Sequence, residues 1–533
     1  MCGIFFSSSQ EEHRLPSNGL LDDLKRRGPD SANSVSPLIN LESTAFRKSG
    51  PKMRKQTYFL TFLSTVLSLR GSSVVRQPLS DQESGSLLCW NGEAWKIGNR
   101  SIESNDAERV FDAFLSAVGH SNNTDHKLAS PHHSLQAVVD VLSSITGPYA
   151  FVFYDAQHHR VLYGRDALGR RSLLIRRYST TSIVLSSIRD PTESEDLMEV
   201  EADGIYVLDL TADIDPSSND VDQITHVPIP LPPSQSIASV RVAVLFSGGL
   251  DCTVLARMLH DVLPKEQDID LLNVAFENPR VVQAAEACHI HQPACSAYSL
   301  CPDRITGLSS YSELLAICSG RKWRFVSIDI PYTDTKAHRA KVISLIHPHN
   351  TEMDLSIAYA LYFAARGMGT VQTESGDGAM HYTTPARVLL SGLGADELFG
   401  GYTRHATAFD RRGYSGLADE LAFDFNRLGK RNLGRDDRVI SHWGKEVRYP
   451  YLDEDLVSWA LRLPVWEKCG FGQADNCEDG SIPLLEPGKK LLRLLAWDLG
   501  LRSAAAEKKR AIQFGARTAK MEVGKTKGTQ TLS

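Results

Sequence analysis

Short apolar runs, broken every few residues by Gly, Asp or Ser, dominate the first 210 positions of the chain. Residues 86–91 (SLLCWN), 149–155 (YAFVFYD), 160–166, 172–177 and 182–187 are rich in aromatic and β-branched side chains and predict closely spaced antiparallel strands. One helical segment interrupts them. From Asp106, apolar side chains at Val110, Phe111 and Phe114 recur at helical spacing. The polar stretch 119–133 predicts a surface loop.

The pattern changes at residue 212. Up to residue 239 there are five prolines and no periodicity, which predicts an inter-domain linker over 211–239. A buried-strand run follows at 240–246 (VRVAVLF), then a glycine turn. A helix comes next, with Val254, Leu255, Met258, Leu259 and Val262 on one side. Strand, glycine loop and helix recur at 387–390, 391–394 and from Ala395 onward, which predicts an α/β layer with a mostly parallel sheet. The division expected is a first domain over 1–210, the linker, a second domain over 240–520 and a disordered polar tail over 521–533.

Composition narrows the function classes. The 533 residues carry 58 Lys plus Arg against 64 Asp plus Glu, a net charge of −6, with no electrostatic case for a nucleic-acid or anionic-membrane partner. No stretch approaches the ~18 apolar residues of a membrane span. The opening MCGIFFSSSQEEHR has neither a basic lead-in nor a long apolar run, so no secretory signal is expected. Nine scattered cysteines, an odd number, suggest a reducing compartment, and the location expected is cytoplasmic.

Two constellations carry chemistry. Cys2 follows Met1, so trimming of the methionine would leave a terminal cysteine whose own α-amine, of pKa near ~8, could act as base for its thiol. MCGIF at the start, RRGPD at 26–30, NGE at 91–93 and GRDALGRRSLL from Gly164 occur in order. Together they resemble the class II glutamine amidotransferase domain, an α+β N-terminal nucleophile (αββα) fold. The resemblance implies that Cys2 attacks the glutamine side-chain amide. It implies an oxyanion hole from Asn91 and the Gly92 backbone N–H, and a contact of Glu93 and Asp106 with the glutamine α-ammonium. The family also places a carboxylate-binding arginine at the head of a strand shortly before NGE. In TVLSLRG that place holds Val66, with Arg70 four residues on.

The second constellation is SGGLDCT at 247–253, between the predicted strand and helix. Ser247, Gly248 and Gly249 leave backbone N–H groups free to approach phosphate oxygens, and the helix N-terminus adds positive potential. Asp251 suits Mg²⁺, a hard cation that takes carboxylate and phosphate oxygens together. The loop lacks the Lys-Ser/Thr pair of a Walker A motif. LLSGLGADELFGGY at 389–402 and HWGKEVRYPYLDEDLV from His442 complete a pattern that resembles the ATP pyrophosphatase-type synthetase domain of glutamine-hydrolysing asparagine synthetases, an α/β parallel-sheet fold. DLLNVAFENP, CPDRITG and RNLGRDDRV resemble its asparagine synthetase domain-containing branch. The resemblance implies Mg²⁺ on Asp251 and Asp396, pyrophosphate on Ser247, Gly248 and Gly249, and adenosine bordered by Phe246, Val274, Ser391 and Gly392. Glutamine, ATP and aspartate are the implied substrates.

Where the family carries glutamate, this chain has Leu393. For the family's late pyrophosphate lysine the nearest candidates are Lys509 and Arg510, with an exposed basic run as the plain alternative. Two functions stay open: a glutamine-dependent ligase that makes an acyl-adenylate and amidates it, and a non-catalytic or substrate-shifted descendant serving as a nucleotide-binding scaffold. Cys288, His289, His291, Cys295 and Cys301 lack the paired spacing of a structural zinc site and read as a loop with buried thiols.

Overall fold

The structure, a computed structural model, describes residues 2–47, 50–71, 73–119, 131–179, 182–192, 197–211, 224–228, 241–287, 297–372, 378–472, 485–521 and 528–532. The chain divides into two compact units. One is Met1–Ala238 with Gly429–Arg438; the other is Ser239–Leu428 with Val439–Ser533.

The first unit is built on two antiparallel sheets. One runs in the order Met198–Glu199, Leu174–Arg177, Ile183–Ser186, Gly3–Ser9, Gly50–Val66, Ser31–Val35, and Leu38–Arg47 also pairs with Gly50–Val66. The other runs Ile224–Pro228, Gly204–Asp209, Arg160–Arg165, Tyr149–Asp155, Leu87–Gly92, Leu79–Ser80. Alternation along the strands sorts side chains into layers. Ile4 and Phe6 share one buried cluster with Leu87, Cys89, Val152 and Tyr154 of the second sheet. Phe5, between them, turns the other way and packs with Leu20 and Leu24 of the helix Asn18–Arg27. Leu88, Trp90, Phe151 and Phe153 face the helices Asp106–Ala117 and Pro131–Ser144 through Phe111, Phe114, Val138 and Leu142. Helix, sheet, sheet and helix pair therefore stack in that order. Each large side chain so buried contributes about 1.5–3 kcal/mol.

Two expectations need correction here. The stretch 119–133 is not wholly loop, because Pro131–Ser144 is a helix whose inner face meets the second sheet; residues 120–130 lie outside those described. The stretch 211–239 is not wholly linker either. Ile224–Pro228 extends the second sheet by pairing with Gly204–Asp209. Pro228 ends this strand at the sheet edge, a position where proline is tolerated.

In the second unit, Trp323–Ile330, Ile269–Phe276, Val242–Leu245, Val388–Leu390 and Glu446–Arg448 lie parallel and in that order. Met368–Gln372 and Ala379–Thr383 add an antiparallel edge beside Trp323–Ile330. The helix Leu250–Val262 buries Leu250, Val254, Leu255 and Leu259, but Met258 is 42% and Val262 62% exposed. Its inner stripe runs through Cys252, Leu255, Ala256 and Leu259, one step round from the predicted one, which turns Met258 and Val262 outward. Within the stretch expected to be a disordered tail, Gly528, Gln530 and Leu532 are hydrogen-bonded to Met353, Glu352 and Asn350. Among the described residues no helix is long and apolar enough to cross a membrane.

Candidate functional site

The first unit gathers the amidotransferase-like residues at strand ends. Cys2 is buried immediately before the strand Gly3–Ser9. The two ends of the Cys2–Gly3 peptide are both held. Gly3 N–H donates to Thr65 Oγ1 at 3.1 Å, and Arg27 Nε donates to the Cys2 carbonyl at 3.2 Å. A Cβ on Gly3 would meet Thr65 Oγ1 at 2.5 Å, so glycine is required after the cysteine. Gly28 of RRGPD approaches the Thr65–Val66 peptide just as closely, with 2.4 Å to an added Cβ. Carried two residues back, the alternation of Phe6 and Ile4 turns Cys2 toward the space between the sheets.

Asn91 points to that same space by the parity of Leu87 and Cys89. It is fully buried, and neither Nδ2 nor Oδ1 has a hydrogen-bond partner. A buried amide with no partner costs about 1–3 kcal/mol per group, so its persistence asks for a ligand. Gly92 follows with no room for a side chain: an added Cβ would lie 2.7 Å from Tyr149 Cβ.

Glu93 and Asp106 are both buried and stand near one cation. Arg70 Nε lies 2.8 Å from Glu93 Oε2, and its Nη1 donates to the carbonyls of Ala94 and Ile102 at 3.1 and 3.2 Å. Arg70 thus belongs to this group of residues, while Val66 ends its strand with its side chain in the core. Asp106 Oδ2 accepts from Trp90 Nε1 at 2.8 Å and from Ala94 N–H at 2.9 Å. Burial pushes the Asp106 carboxyl up, against those two hydrogen bonds and the Arg70 charge.

In the second unit, the loop after Val242–Leu245 turns sharply at Gly248. Its φ is +81°, and a Cβ there would sit 2.4 Å from Gly307 Cα, so both conformation and space demand glycine. Ser310 Oγ donates to the Gly248 carbonyl at 2.7 Å and fixes the turn. Gly249 is the N-cap of Leu250–Val262 with no side-chain cap, which leaves the first-turn N–H groups without a side-chain acceptor. Phe246 is anchored by its N–H on Leu272 O and its carbonyl on Asn273 Nδ2, beside the buried Val274. The second loop meets the first: a Cβ on Gly392 would lie 2.9 Å from Asp251 Cβ, and Ser391 Oγ accepts from Leu393 N–H at 3.3 Å.

What joins the two loops is a lysine that sequence reasoning missed. Lys489 Nζ donates to Asp251 Oδ1 and Oδ2 at 2.7 and 2.9 Å and lies 3.0 Å from Asp396 Oδ1. Lys509 pairs with Asp396 Oδ2 from the other side. Burial alone would raise the Asp396 carboxyl, but the two ammonium groups outweigh it and hold it well below the usual carboxylate range. Burial would likewise lower the Lys489 ammonium, and Asp251 and Asp396 raise it instead. Arg510 is set apart, 4.0 Å from Asp303 and hydrogen-bonded to Thr306. The available signal for Lys489 was a Pro-Gly turn, 487–488, before two lysines opening an apolar helix; its φ of +58° was not legible. Glu397, next to Asp396, is pushed up to about 7 by burial and by the Asp396 charge, despite accepting from Tyr402 OH at 2.6 Å.

A divalent cation fits these residues only together with phosphate. Among the described residues no three His, Cys, Asp or Glu side chains form a metal cluster. Two carboxylates from different loops do converge on one cation, and Asp396 Oδ1 is buried with no aligned hydrogen bond. That donor set suits Mg²⁺, which takes one or two carboxylates and completes its shell with water and phosphate oxygens. Of the residues weighed for zinc, Cys288, His289, His291 and Cys295 lie outside the described residues, and Cys301 Sγ donates to the Gly515 carbonyl at 2.9 Å.

Comparison with known proteins agrees with both halves. Residues 65–191 match the glutamine amidotransferase domain family and residues 409–521 the asparagine synthase family. The chain is 31% identical to asparagine synthetase domain-containing protein 1 of Bos taurus, over 99% of this chain and 97% of that protein. It is also 31% identical to an asparagine synthetase domain-containing protein of Saccharomyces cerevisiae, over 100% of this chain and 99% of that one. A yeast asparagine synthetase [glutamine-hydrolyzing] is 22% identical over 88% of this chain and 77% of its own length. With full-length identity at this level and both domain families present, the chain belongs to the asparagine synthetase domain-containing protein family.

Proposed function

We propose that the chain is a glutamine-dependent amidotransferase-ligase. In its first half, with Met1 removed, the Cys2 thiol gives its proton to the α-amine and attacks the glutamine side-chain carbonyl. The oxyanion is met by Asn91 Nδ2 and the Gly92 N–H, each such donor lowering the barrier by up to ~3–4 kcal/mol. As the intermediate collapses, the α-ammonium returns its proton to the leaving nitrogen, the C–N bond breaks and ammonia is released; water then hydrolyses the thioester to glutamate and frees the thiol. Glu93, and secondarily Asp106 through Oδ1, would take the glutamine α-ammonium. Arg70 is the cation at hand for the α-carboxylate. The observation that carries this half is the buried Asn91 amide with both polar atoms unpartnered.

In the second half, Ser247, Gly248 and Gly249 would bind the ATP phosphates, with Phe246, Val274, Ser391 and Gly392 around the adenosine. Asp251 and Asp396 would hold Mg²⁺, which supplies charge neutralisation of the phosphates. Lys489 would offer its ammonium to the departing pyrophosphate, released when the acceptor carboxylate attacks the α-phosphorus and forms an acyl-adenylate. Aspartate is the acceptor proposed. Ammonia attacks the acyl carbon, AMP leaves, and the amide loses a proton. Unprotonated ammonia is scarce in water at neutral pH, so generating it within the protein favours the reaction.

Leu393 favours a second reading, a nucleotide-binding descendant with weak or redirected amidation. Pyrophosphate release by the purified chain with ATP–Mg²⁺, scanned across carboxylic acids, separates the two. Release with one acid supports the ligase; release with none supports the scaffold.

A further inference from the structure

The segment Gly429–Arg438 is a part of the first unit although the chain on either side of it, and the asparagine synthase match around it, lie in the second. It is firmly held there. Arg438 Nη1 bonds Ser172 Oγ at 2.8 Å and Glu199 Oε2 at 2.5 Å. A Cβ on Gly434 would meet Glu199 Oε1 at 2.5 Å, and one on Gly429 the Leu168 carbonyl at 2.8 Å. Lys430 reaches Glu201 at 2.6 Å on the surface.

At the centre of this segment, Asp437 is fully buried. Its Oδ2 accepts from Ser172 N–H at 3.2 Å and from Arg27 Nη2 at 2.9 Å. Arg27, also fully buried, donates through Nε to the Cys2 carbonyl. One guanidinium therefore bridges the carboxylate of residue 437 and the backbone of the cysteine. The peptide after Cys2 is planar, with Thr65 Oγ1 on its N–H and Arg27 on its carbonyl, so fixing both ends fixes the plane. What remains to the nucleophile is rotation about two bonds. Misplacement of a reacting group by about 1 Å can cost about 10²-fold in rate.

We propose that Asp437 is a positioning residue for Cys2: by locking the Arg27 guanidinium, it fixes the Cys2 carbonyl and with it the thiol and α-amine. This rests on the glutaminase reading above. It means that the glutaminase half is completed by a side chain 410 residues downstream of its partner Arg27. A fragment ending at residue 238 would lack it.

The test uses the full-length chain with Asp437→Asn and the double variant Arg27→Gln/Asp437→Asn, which removes both charges together and so avoids a lone buried cation. Lys430→Ala is the control for loosening of the segment. Glutamine hydrolysis gives kcat and KM, and mass spectrometry follows alkylation of Cys2 by iodoacetamide at fixed pH. Expected in whichever of the two variants melts as a folded protein is kcat at least tenfold lower with KM within twofold, and Cys2 alkylation at least threefold faster. Lys430→Ala should stay within twofold on all three. Wild-type kcat and alkylation in a folded variant, or changes no larger than those of Lys430→Ala, overturn the proposal. If wild type does not hydrolyse glutamine, the glutaminase reading fails, and the alkylation rates alone still decide whether Asp437 positions Cys2.

Discussion

Lys489 holds Asp251 in a two-point ion pair, 2.7 and 2.9 Å from Nζ to the two carboxylate oxygens. The same ammonium reaches Asp396 at 3.0 Å and so draws the two glycine-loop carboxylates together. Removing the lysine leaves Asp251 facing Asp396 with only Lys509 to offset the two charges, a loss of the order of 3–5 kcal/mol. Lys489→Met should lower the melting temperature, and added Mg²⁺ should restore more of it than it adds to wild type. It should also abolish ATP-dependent pyrophosphate release. Equal Mg²⁺ effects on the two proteins would separate the lysine from the cation site.

Asp251→Asn and Asp396→Asn each remove one carboxylate without changing shape. Mg²⁺-dependent pyrophosphate release should fall by about 10²-fold or more in each, as expected when a positioned charge is lost at a phosphoryl centre. Unchanged turnover in either variant takes that residue out of the proposed cation site. In the first unit, Asn91→Ala should lower kcat for glutamine hydrolysis by about 10²–10³-fold with little change in KM if, as proposed, the donor acts on the oxyanion.

Asp303 is buried at the start of the helix Pro302–Ile317, and its carboxyl is pushed up to about 7 by burial, against the pull of Arg510 and Lys509. Its unfolded value is near ~3.9. Between these values the folded chain binds more protons than the unfolded one, so stability falls as pH rises from about 4 to about 7 and is flat above. Glu397 acts in the same direction. Asp303→Asn should flatten part of the decline, by an amount of the order of a few kcal/mol. Melting curves at pH 5 and 7.5 measure it; a wild-type protein no more stable at pH 5 contradicts the assignment. Asp396 and Lys489 add no slope there, since the depressed carboxyl loses its contribution only in acid and the raised ammonium only in strong alkali.

Much of the fold was readable because its signals were local. The run at Tyr149–Asp155 is buried at every position and needed no partner to be seen, and the glycine turn before Leu250 announced itself by composition. Gly50–Val66 was missed because its first half, GPKMRKQ, is polar; it is a strand through pairing with Leu38–Arg47, the hairpin partner that immediately precedes it. The helix Pro131–Ser144 was hidden behind two histidines and a polar stretch. Of the site, Cys2, Asn91, Asp251 and Asp396 lie in compact motifs whose glycines are dictated by close approach. Lys489 gave no such sign, because its partner Asp251 is far away in sequence. Arg70 was visible only as a cation four residues past Val66, and Asp437 only as part of RNLGRDDRV; their partners Glu93 and Arg27 were not legible.

On the ligase reading proposed above, Leu393 stands where an acid-base group would serve amidation. Its N–H bonds Ser391 Oγ, so the loop keeps its turn while offering no carboxylate from that side chain. Losing such a group typically costs about 10²–10⁴-fold. Leu393→Glu should raise asparagine formation at saturating ammonia while leaving adenylation unchanged. A wild-type enzyme at ordinary rates whose activity the substitution leaves flat would show that Leu393 is no lesion.

The central claim, that one chain couples glutamine hydrolysis to ATP-dependent amidation, is tested most directly by measuring pyrophosphate and glutamate together. Purified protein would be given ATP–Mg²⁺, a carboxylic acid acceptor, and either glutamine or ammonia. The account predicts equimolar glutamate and pyrophosphate with glutamine, loss of both glutamate and amide product in Cys2→Ala, and amide formation by that variant when ammonia is supplied. Glutamate formation that survives Cys2→Ala, or ATP that neither binds nor yields pyrophosphate with any acid, would contradict it.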